Sequence, residues 1–411
     1  MAGEHMEFGP LIKYFRTQLG MTQKELAAGI CSVPHLSKIE GNSKEANEET
    51  VKMLLERLGI DQEEIQGQEG QIKGLLAELN ELIDYQLKDD AEILMSKLKE
   101  KEHVIPFSSS LYLYEMAKYR YLIFIGKIPE AEKQQEMLNK HKKNFSQYEN
   151  CLFRYLNAVL LLKKGNYQKA DEILISLLPE WMDGIDRGEL LYDISLSKAF
   201  LEQTGHSIHF GNQALQSFKN THNFIRILHT LMLLAISYTQ SKIYEEALSC
   251  LQHLIRNLSL LEDLVFKAQV FHNMGYLQSK MGETEKALYY YKKSLSLQKP
   301  DTFNYLVTLF SIGETQYELG EQEEARTIFS QVNDLAKELD NKRYLILVNY
   351  YLLSINSPDK SVEYLETKVL PAVNGCNALT VDLNKFYKLL SSHYKSIGKA
   401  DKAVLYLEKI I

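Results

Sequence analysis

Asn273-Met-Gly275-Tyr-Leu-Gln-Ser-Lys-Met-Gly282-Glu-Thr-Glu-Lys-Ala287-Leu288 is the stretch on which the fold turns. Its two glycines stand seven apart, and the alanine follows the first of them by twelve. Gly282 suits a turn because it accepts left-handed backbone angles without a Cβ clash. Ala287 suits the next helix because a small side chain lets two helices approach closely. The same spacing recurs at Ile312-Gly313, Gly320 and Ala325. Farther out, a small residue is followed five positions later by Ala at Gly126/Ala131, Gly165/Ala170 and Gly398/Ala403. Weaker copies are Gln86/Ala91, Gly205/Phe210, Lys242/Ala247 and Ser357/Val362. A period of about 37 to 41 residues marks stacked helical hairpins. Anchors at 91, 131, 170, 210, 247, 287, 325, 362 and 403 predict nine of them, the last serving as a cap. Strand-type alternation is nearly absent, so the chain reads as all-α. The hairpins should wind into a right-handed superhelix whose concave face binds, with no single catalytic pocket.

Composition narrows the class. The 411 residues exceed one ordinary core, 45% are apolar, 25% charged, and the net charge is −7. An acidic chain is no general nucleic-acid sponge, so DNA binding must be local. Cys31, Cys151, Cys250 and Cys376 match no metal or redox spacing and read as reduced core thiols. There is no signal-peptide pattern, and no apolar run approaches the roughly 18 residues of a membrane span. A cytoplasmic protein without membrane contact is expected. No GxSxG, HExxH, P-loop or Cys/His cluster is present, and His103, His206, His209 and His229 are scattered. These absences predict no enzyme, no catalytic residue, no metal and no cofactor.

Residues 7–64 form a different segment, of short helices jointed at glycines. Leu11 to Leu19 is amphipathic and ends at Gly20. Thr22-Gln-Lys-Glu25 is a capping box that opens a second helix. Ser32 can cap a third, Val33 to Glu40, with Pro34 in its first turn, where a missing N–H costs little. Asn47 can cap a fourth, which Gly59 stops. Two short helices on a tight turn inside such a bundle are a helix-turn-helix. The stretch 10–44 holds Lys13, Arg16, Lys24, Lys38 and Lys44 against Glu25 and Glu40. So small an excess gives modest, salt-sensitive DNA affinity and calls for a dimer reading two half-sites of a palindromic operator in double-stranded DNA. The Gln/Gly-rich stretch 65–72 reads as a linker, leaving 73–411 to the hairpins.

The repeat resembles the tetratricopeptide repeat, with Leu-Gly in the first helix, Gly at the turn and Ala in the second. The run Met21-Thr-Gln-Lys-Glu-Leu-Ala-Ala-Gly-Ile30, with Leu36-Ser-Lys-Ile-Glu-Gly-Asn42, resembles the Cro/C1 repressor family. The proline usual before that family's fourth helix is absent; Ala46 stands near its place. Carried over by position, this resemblance assigns DNA contacts to Gln23, Val33, Pro34, His35, Ser37, Lys38 and Asn42. Lys38 can donate to guanine. It makes Glu40 a structural partner of a first-helix arginine such as Arg16. The Asn273 position is one where tetratricopeptide repeats turn an Asn toward a bound peptide backbone, and an amide matches one peptide unit in donor and acceptor. Similar inner positions give Arg120, Asn157, His229, Gln269, Tyr276 and Asn349.

A Cro-type head on a long tetratricopeptide array resembles the quorum-sensing regulators of Gram-positive bacteria, of the Rap, Rgg, NprR, PlcR and PrgX types. In size and hairpin number it is most similar to the neutral-protease regulator type. That resemblance implies a receptor for a short, secreted and re-imported signalling peptide. Peptide binding would change assembly (a dimer, a tetramer with peptide) and DNA binding, at protease or sporulation genes. It implies an alternative as well: a Rap-like protein that binds and inhibits or dephosphorylates a phosphorelay response regulator, as the peptide-free state of the same chain.

Overall fold

The computed structural model describes residues 8–41, 47–60, 62–103, 105–181, 186–373 and 383–410. Its first four helices are α1 (Phe8–Gln18), α2 (Gln23–Ala27), α3 (Val33–Glu40) and α4 (Glu48–Arg57). Their starts are built by side chains. Thr22 accepts from the Glu25 amide, while the Glu25 carboxylate accepts from the Thr22 amide at 2.7 Å. Ser32 accepts from the His35 amide at 3.3 Å, and Asn47 from the Thr50 amide at 2.8 Å. Each cap satisfies a donor the helix cannot. Leu11, Ile12, Leu26, Leu36, Ile39, Leu54 and Leu55 close one small core. Asn42 and Ala46 lie outside the described residues.

Nine hairpins follow among the described residues. They are α5 (Gln62–Asp84) with α6 (Lys88–Glu100), α7 (Leu111–Phe124) with α8 (Ile128–His141), and α9 (Gln147–Lys163) with α10 (Tyr167–Leu177). Next come α11 (Arg187–Phe200) with α12 (Thr204–Asn220), α13 (Phe224–Gln240) with α14 (Tyr244–Asn257), and α15 (Leu264–Lys280) with α16 (Thr284–Leu295). The last are α17 (Phe303–Glu318) with α18 (Gln322–Glu338), α19 (Lys342–Asn356) with α20 (Pro358–Tyr364), and α22 (Leu383–Ser396) with α23 (Ala400–Leu407). Between the last two pairs, α20 runs through a π-helical turn into α21 (Leu370–Val373). No strand occurs among the described residues, and no helix is long and apolar enough to cross a membrane. Packing divides the chain into two compact units, 1–190 and 191–411. The polar run 65–72 is not a separate element: it lies within α5, where Ile72 is buried with Leu76 and Leu79.

The turn rule holds in backbone geometry more widely than in composition. Gly126, Gly165, Gly282, Gly320 and Gly398 all have positive φ, and the alanines five positions on are buried. Gln86, Glu202 and Lys242 take the same left-handed angle without being glycine, at φ 61, 60 and 62. The fourth hairpin is therefore anchored at Glu202 and Ser207, three residues before Gly205/Phe210. Gly205 lies inside α12, and Phe210 is only half-buried. Ser207 replaces Ala because it joins a buried hydroxyl row: it meets Ser237 at 2.8 Å, and Ser195 donates to its carbonyl at 2.7 Å. Ser357, in the eighth hairpin, has φ −154 and makes no left-handed turn; Pro358 opens α20 directly.

A left-handed non-glycine residue costs about 1–2 kcal/mol. Lys242→Gly relieves that strain at an exposed turn and loses part of the gain to the extra freedom of the unfolded chain. A net gain of about 0.5–1 kcal/mol is expected, read as a higher urea midpoint. A lower midpoint would show that the Lys242 side chain stabilises the turn.

Candidate DNA-reading and peptide-binding surfaces

Helix α3 has two faces. Leu36, Ile39 and Glu40 are buried, whereas Val33, Pro34, Ser37 and Lys38 are exposed on the opposite side. That outer row is the one a groove-reading helix needs. His35 is half-buried at its margin. Glu40 is held at 2.6 Å and 3.0 Å by Nε and Nη2 of Arg16, a bidentate pair. Arg16 also donates to the Met21 carbonyl at 2.8 Å, which ties α1 to the turn before α2. Burial opposes the charge on Glu40, but the hydrogen bonds from Arg16 and Gln23 overcome it and hold the carboxyl below its usual range. Gln23 spends its amide there, donating to Glu40 at 2.8 Å, so it stands as a brace between α2 and α3. Arg57 of α4 donates to the carbonyls of Leu26 and Ala28 and closes the end of α2. Both arginines of the head thus serve the fold, and the exposed cations near α3 are lysines, among them Lys13, Lys24 and Lys38.

The seven peptide-facing candidates do not form one set. Within residues 1–190, the Arg120 guanidinium pairs with Asp84 and donates to Asn80 Oδ1 at 2.8 Å. Asn157 Oδ1 accepts from Tyr119 at 3.1 Å and from Gln135 at 2.9 Å. These polar groups satisfy one another. Within residues 191–411, the His229 ring lies 5.1 Å from that of Phe266, and Asn349 is exposed on α19. Gln269, Asn273 and Tyr276, with Lys280, recur at three- and four-residue spacing on α15 and share one stripe. Asn273 Nδ2 donates to the Gln269 carbonyl at 3.0 Å, a bond within its own helix. Lys280 Nζ lies 5.2 Å from the centre of the Tyr276 ring.

The stripe runs into a cleft of about 750 Å³ where α15, α17 and α22 converge. Lys280, Glu318, Lys385, Lys388, Leu389 and His393 line it. Lys385 is already committed: Nζ is 2.6 Å from Glu318, 3.5 Å from Glu314 and 3.2 Å from the Tyr351 hydroxyl. Burial opposes its charge, and Tyr351, Glu314 and Glu318 outweigh that and keep the ammonium protonated. Helix α22 itself contains no repeat glycine, so no motif singles out its side chains. The available signal was its polar row, Lys385, Lys388, Ser392 and Ser396, opposite buried Phe386, Leu390 and Tyr394.

The head and hairpins define a class: tetratricopeptide arrays that carry a helix-turn-helix. Residues 12–65 match the helix-turn-helix family model, and 226–300 and 308–335 match tetratricopeptide-repeat models. The transcriptional activator NprA of Geobacillus stearothermophilus is 23% identical over 366 residues, which cover 84% of this chain and 88% of its own. The regulatory protein RapF of Bacillus subtilis is 23% identical over 351 residues, covering 78% and 89%. The crystal structure of NprR in complex with its cognate peptide NprX is 27% identical, covers 82% of this chain and 98% of that one, and superposes with a TM-score of 0.64. The chain is thus similar over most of its length to quorum-sensing regulators of the NprR type.

Proposed function

We propose that this protein is a cytoplasmic, peptide-responsive transcriptional regulator and not an enzyme. Residues 7–64 read a palindromic operator in double-stranded DNA, residues 73–411 take a short signalling peptide, and 65–72 join the two. The protein acts as a homo-oligomer. Peptide bound to the first helices of the hairpins changes assembly and so the spacing of the two heads on DNA, because an array of repeats deforms through many small shifts. The observation that carries this reading is the division of α3: an exposed row of Val33, Pro34, Ser37 and Lys38 over a buried face fixed by the Arg16–Glu40 pair.

Gel-shift titration against genomic fragments, with and without an extract of secreted peptides, tests it. Peptide-dependent shifts at particular fragments are expected; uniform binding that peptide does not alter would overturn the reading. Lys38→Ala removes a cation from the reading face. It is expected to cost about 1–3 kcal/mol of specific affinity if Lys38 meets a base, and to reduce the salt slope by about one per half-site if it meets a phosphate. Peptide affinity should be unchanged. The likeness to the response regulator aspartate phosphatase A of Bacillus subtilis favours a second activity for the peptide-free chain, capture of a response regulator. Co-purification of a receiver domain that peptide releases would establish it.

A further inference from the structure

We propose that the cleft between α15, α17 and α22 receives the free C-terminal carboxylate of the peptide, with the last side chain, an apolar one, resting on Leu389. The proposal rests on the peptide-receptor reading and adds the direction and end-group of the guest. Four observations converge on it.

The first is charge. Three lysines line the cleft against one carboxylate, in a chain whose net charge is negative. The Glu318 carboxylate is held by Lys385 at 2.6 Å. Lys280 lies in the last turn of α15, where any cation complements the helix dipole. Lys388 has no such task. It lies in the middle of α22, exposed, and makes no ion pair among the described residues.

The second is apolar surface beside that charge. Leu389 is 38% exposed and follows Lys388 directly. The terminal residue of a peptide carries its carboxylate and its side chain on one Cα, and so offers an anion and an apolar group side by side. Inside a chain, an Asp or Glu brings a backbone amide on each flank instead, and the cleft would have to match those too. Capture of a terminal carboxylate is a recurring mode of peptide recognition.

The third is continuity. Gln269, Asn273, Tyr276 and Lys280 lie on one face of α15, and Lys280 is also part of the cleft wall. From Gln269 to Lys280 the helix rises about 16 Å at 1.5 Å per residue. An extended chain covers that in about five residues at roughly 3.3 Å each. A guest of that length, lying along the stripe with its C-terminus at Lys280, puts its carboxylate in the cleft.

The fourth is rigidity. Lys385 ties α22 to α17 through Glu314 and Glu318, and to α19 through the Tyr351 hydroxyl. The wall that carries Lys388 and Leu389 is therefore fixed before any guest arrives, which limits the ordering cost of binding.

The test uses the full chain and three synthetic pentapeptide mixtures: four randomised positions ending in Leu as the free acid, the same mixture as the carboxamide, and a carboxamide mixture with one fixed Asp. Retained peptides are counted by affinity-selection mass spectrometry. Members of the free-acid mixture are expected to be retained about ten-fold or more over their amides, as for a charge-assisted contact. Lys388→Gln and Lys280→Gln should each shrink that ratio toward one while amide retention stays level. Equal retention of acid and amide by the unaltered protein would overturn the proposal and leave the peptide receptor standing. So would an acid preference that survives Lys388→Gln. Retention of the Asp amide as strongly as the free acid would overturn the terminal assignment. Retention of nothing from any mixture would overturn the receptor reading along with it.

Discussion

Glu40→Ala is expected to unfold the helix-turn-helix head and abolish DNA binding while the hairpins of residues 191–411 stay folded. The Glu40 side chain is 2% exposed and that of Arg16 14%. Removing one partner of a buried pair strands the other, and the usual penalty is about 3–5 kcal/mol. Arg16 keeps some access to water and one bond to the Met21 carbonyl, so the lower end, about 3 kcal/mol, applies. Gln23 loses its acceptor as well. A head of this size has a total stability of only about 3–8 kcal/mol, so the loss is a large fraction of it. Hydrogen exchange over residues 8–60 should show protection collapsing there, with peptides from α13 to α18 unchanged. The pair also sets a pH signature. Its hydrogen bonds hold the Glu40 carboxyl below its usual value against the opposing effect of burial. A depressed folded value gives stability that is complete above the unfolded value, about 4.3, and is lost as pH falls from there through the folded value. Protection of the head should therefore fall away below about pH 4, and Glu40→Gln should flatten that dependence. Unaltered protection in Glu40→Ala would mean the pair contributes only to surface charge.

The pairing of Glu40 with Arg16, 24 positions apart, was implied by the resemblance to the Cro/C1 family. The caps at Thr22, Ser32 and Asn47 were legible in sequence because each rests on local chemistry within one turn. The hairpins were legible for a similar reason. A left-handed turn and a small residue five positions on are properties of single residues, and repetition multiplies the signal. Seven of the nine anchors fall on the second helix five residues after a left-handed turn, and of the two exceptions, at 210 and 362, the first is informative. Gly205 drew the frame three residues late because glycine marks turns statistically, whereas at Glu202 the flanking helices impose the left-handed angle on a residue that does not favour it. Tertiary context overrode propensity. The binding surfaces were less legible for a reason of another kind. Whether a polar side chain faces a guest or a neighbour depends on what the next repeat offers. Asp84 and Asn80 lie 36 and 40 positions from Arg120 and claim its guanidinium. Tyr119 and Gln135 claim the Asn157 carbonyl in the same way. Conversely, Lys388 lies in a helix without a repeat glycine, and only folding sets it beside Lys280.

Gly275→Ala should destabilise the array, although alanine is the better helix former by about 0.8–1 kcal/mol. A Cβ at Gly275 would sit 2.7 Å from the Tyr291 ring, and one at Gly313 would sit 2.8 Å from that of Phe329. These glycines do not serve a turn; they let α15 and α17 approach the helices that follow them. Tyr291 and Phe329 are both buried, and Phe329 stacks on Tyr351 at 4.7 Å, so neither ring can swing aside cheaply. Overpacking of this kind costs about 1–3 kcal/mol, which exceeds the propensity gain. Gly74→Ala gives the contrast. Gly74 lies inside α5 with no atom within 4 Å of a built Cβ, so it should gain most of the propensity term. Opposite signs from one chemical change at two helical glycines separate close approach from helix preference. Urea midpoints of the full chain read both. Tyr291→Ala completes the test, because the clash needs the ring. Combined with Gly275→Ala it should cost less than the sum of the two single changes by about 1 kcal/mol or more, the coupling expected of residues in contact. Additive losses would mean that the Gly275 backbone, rather than the Tyr291 ring, limits the approach, and that α15 carries its stripe of Gln269, Asn273 and Tyr276 on a looser support than the geometry shows.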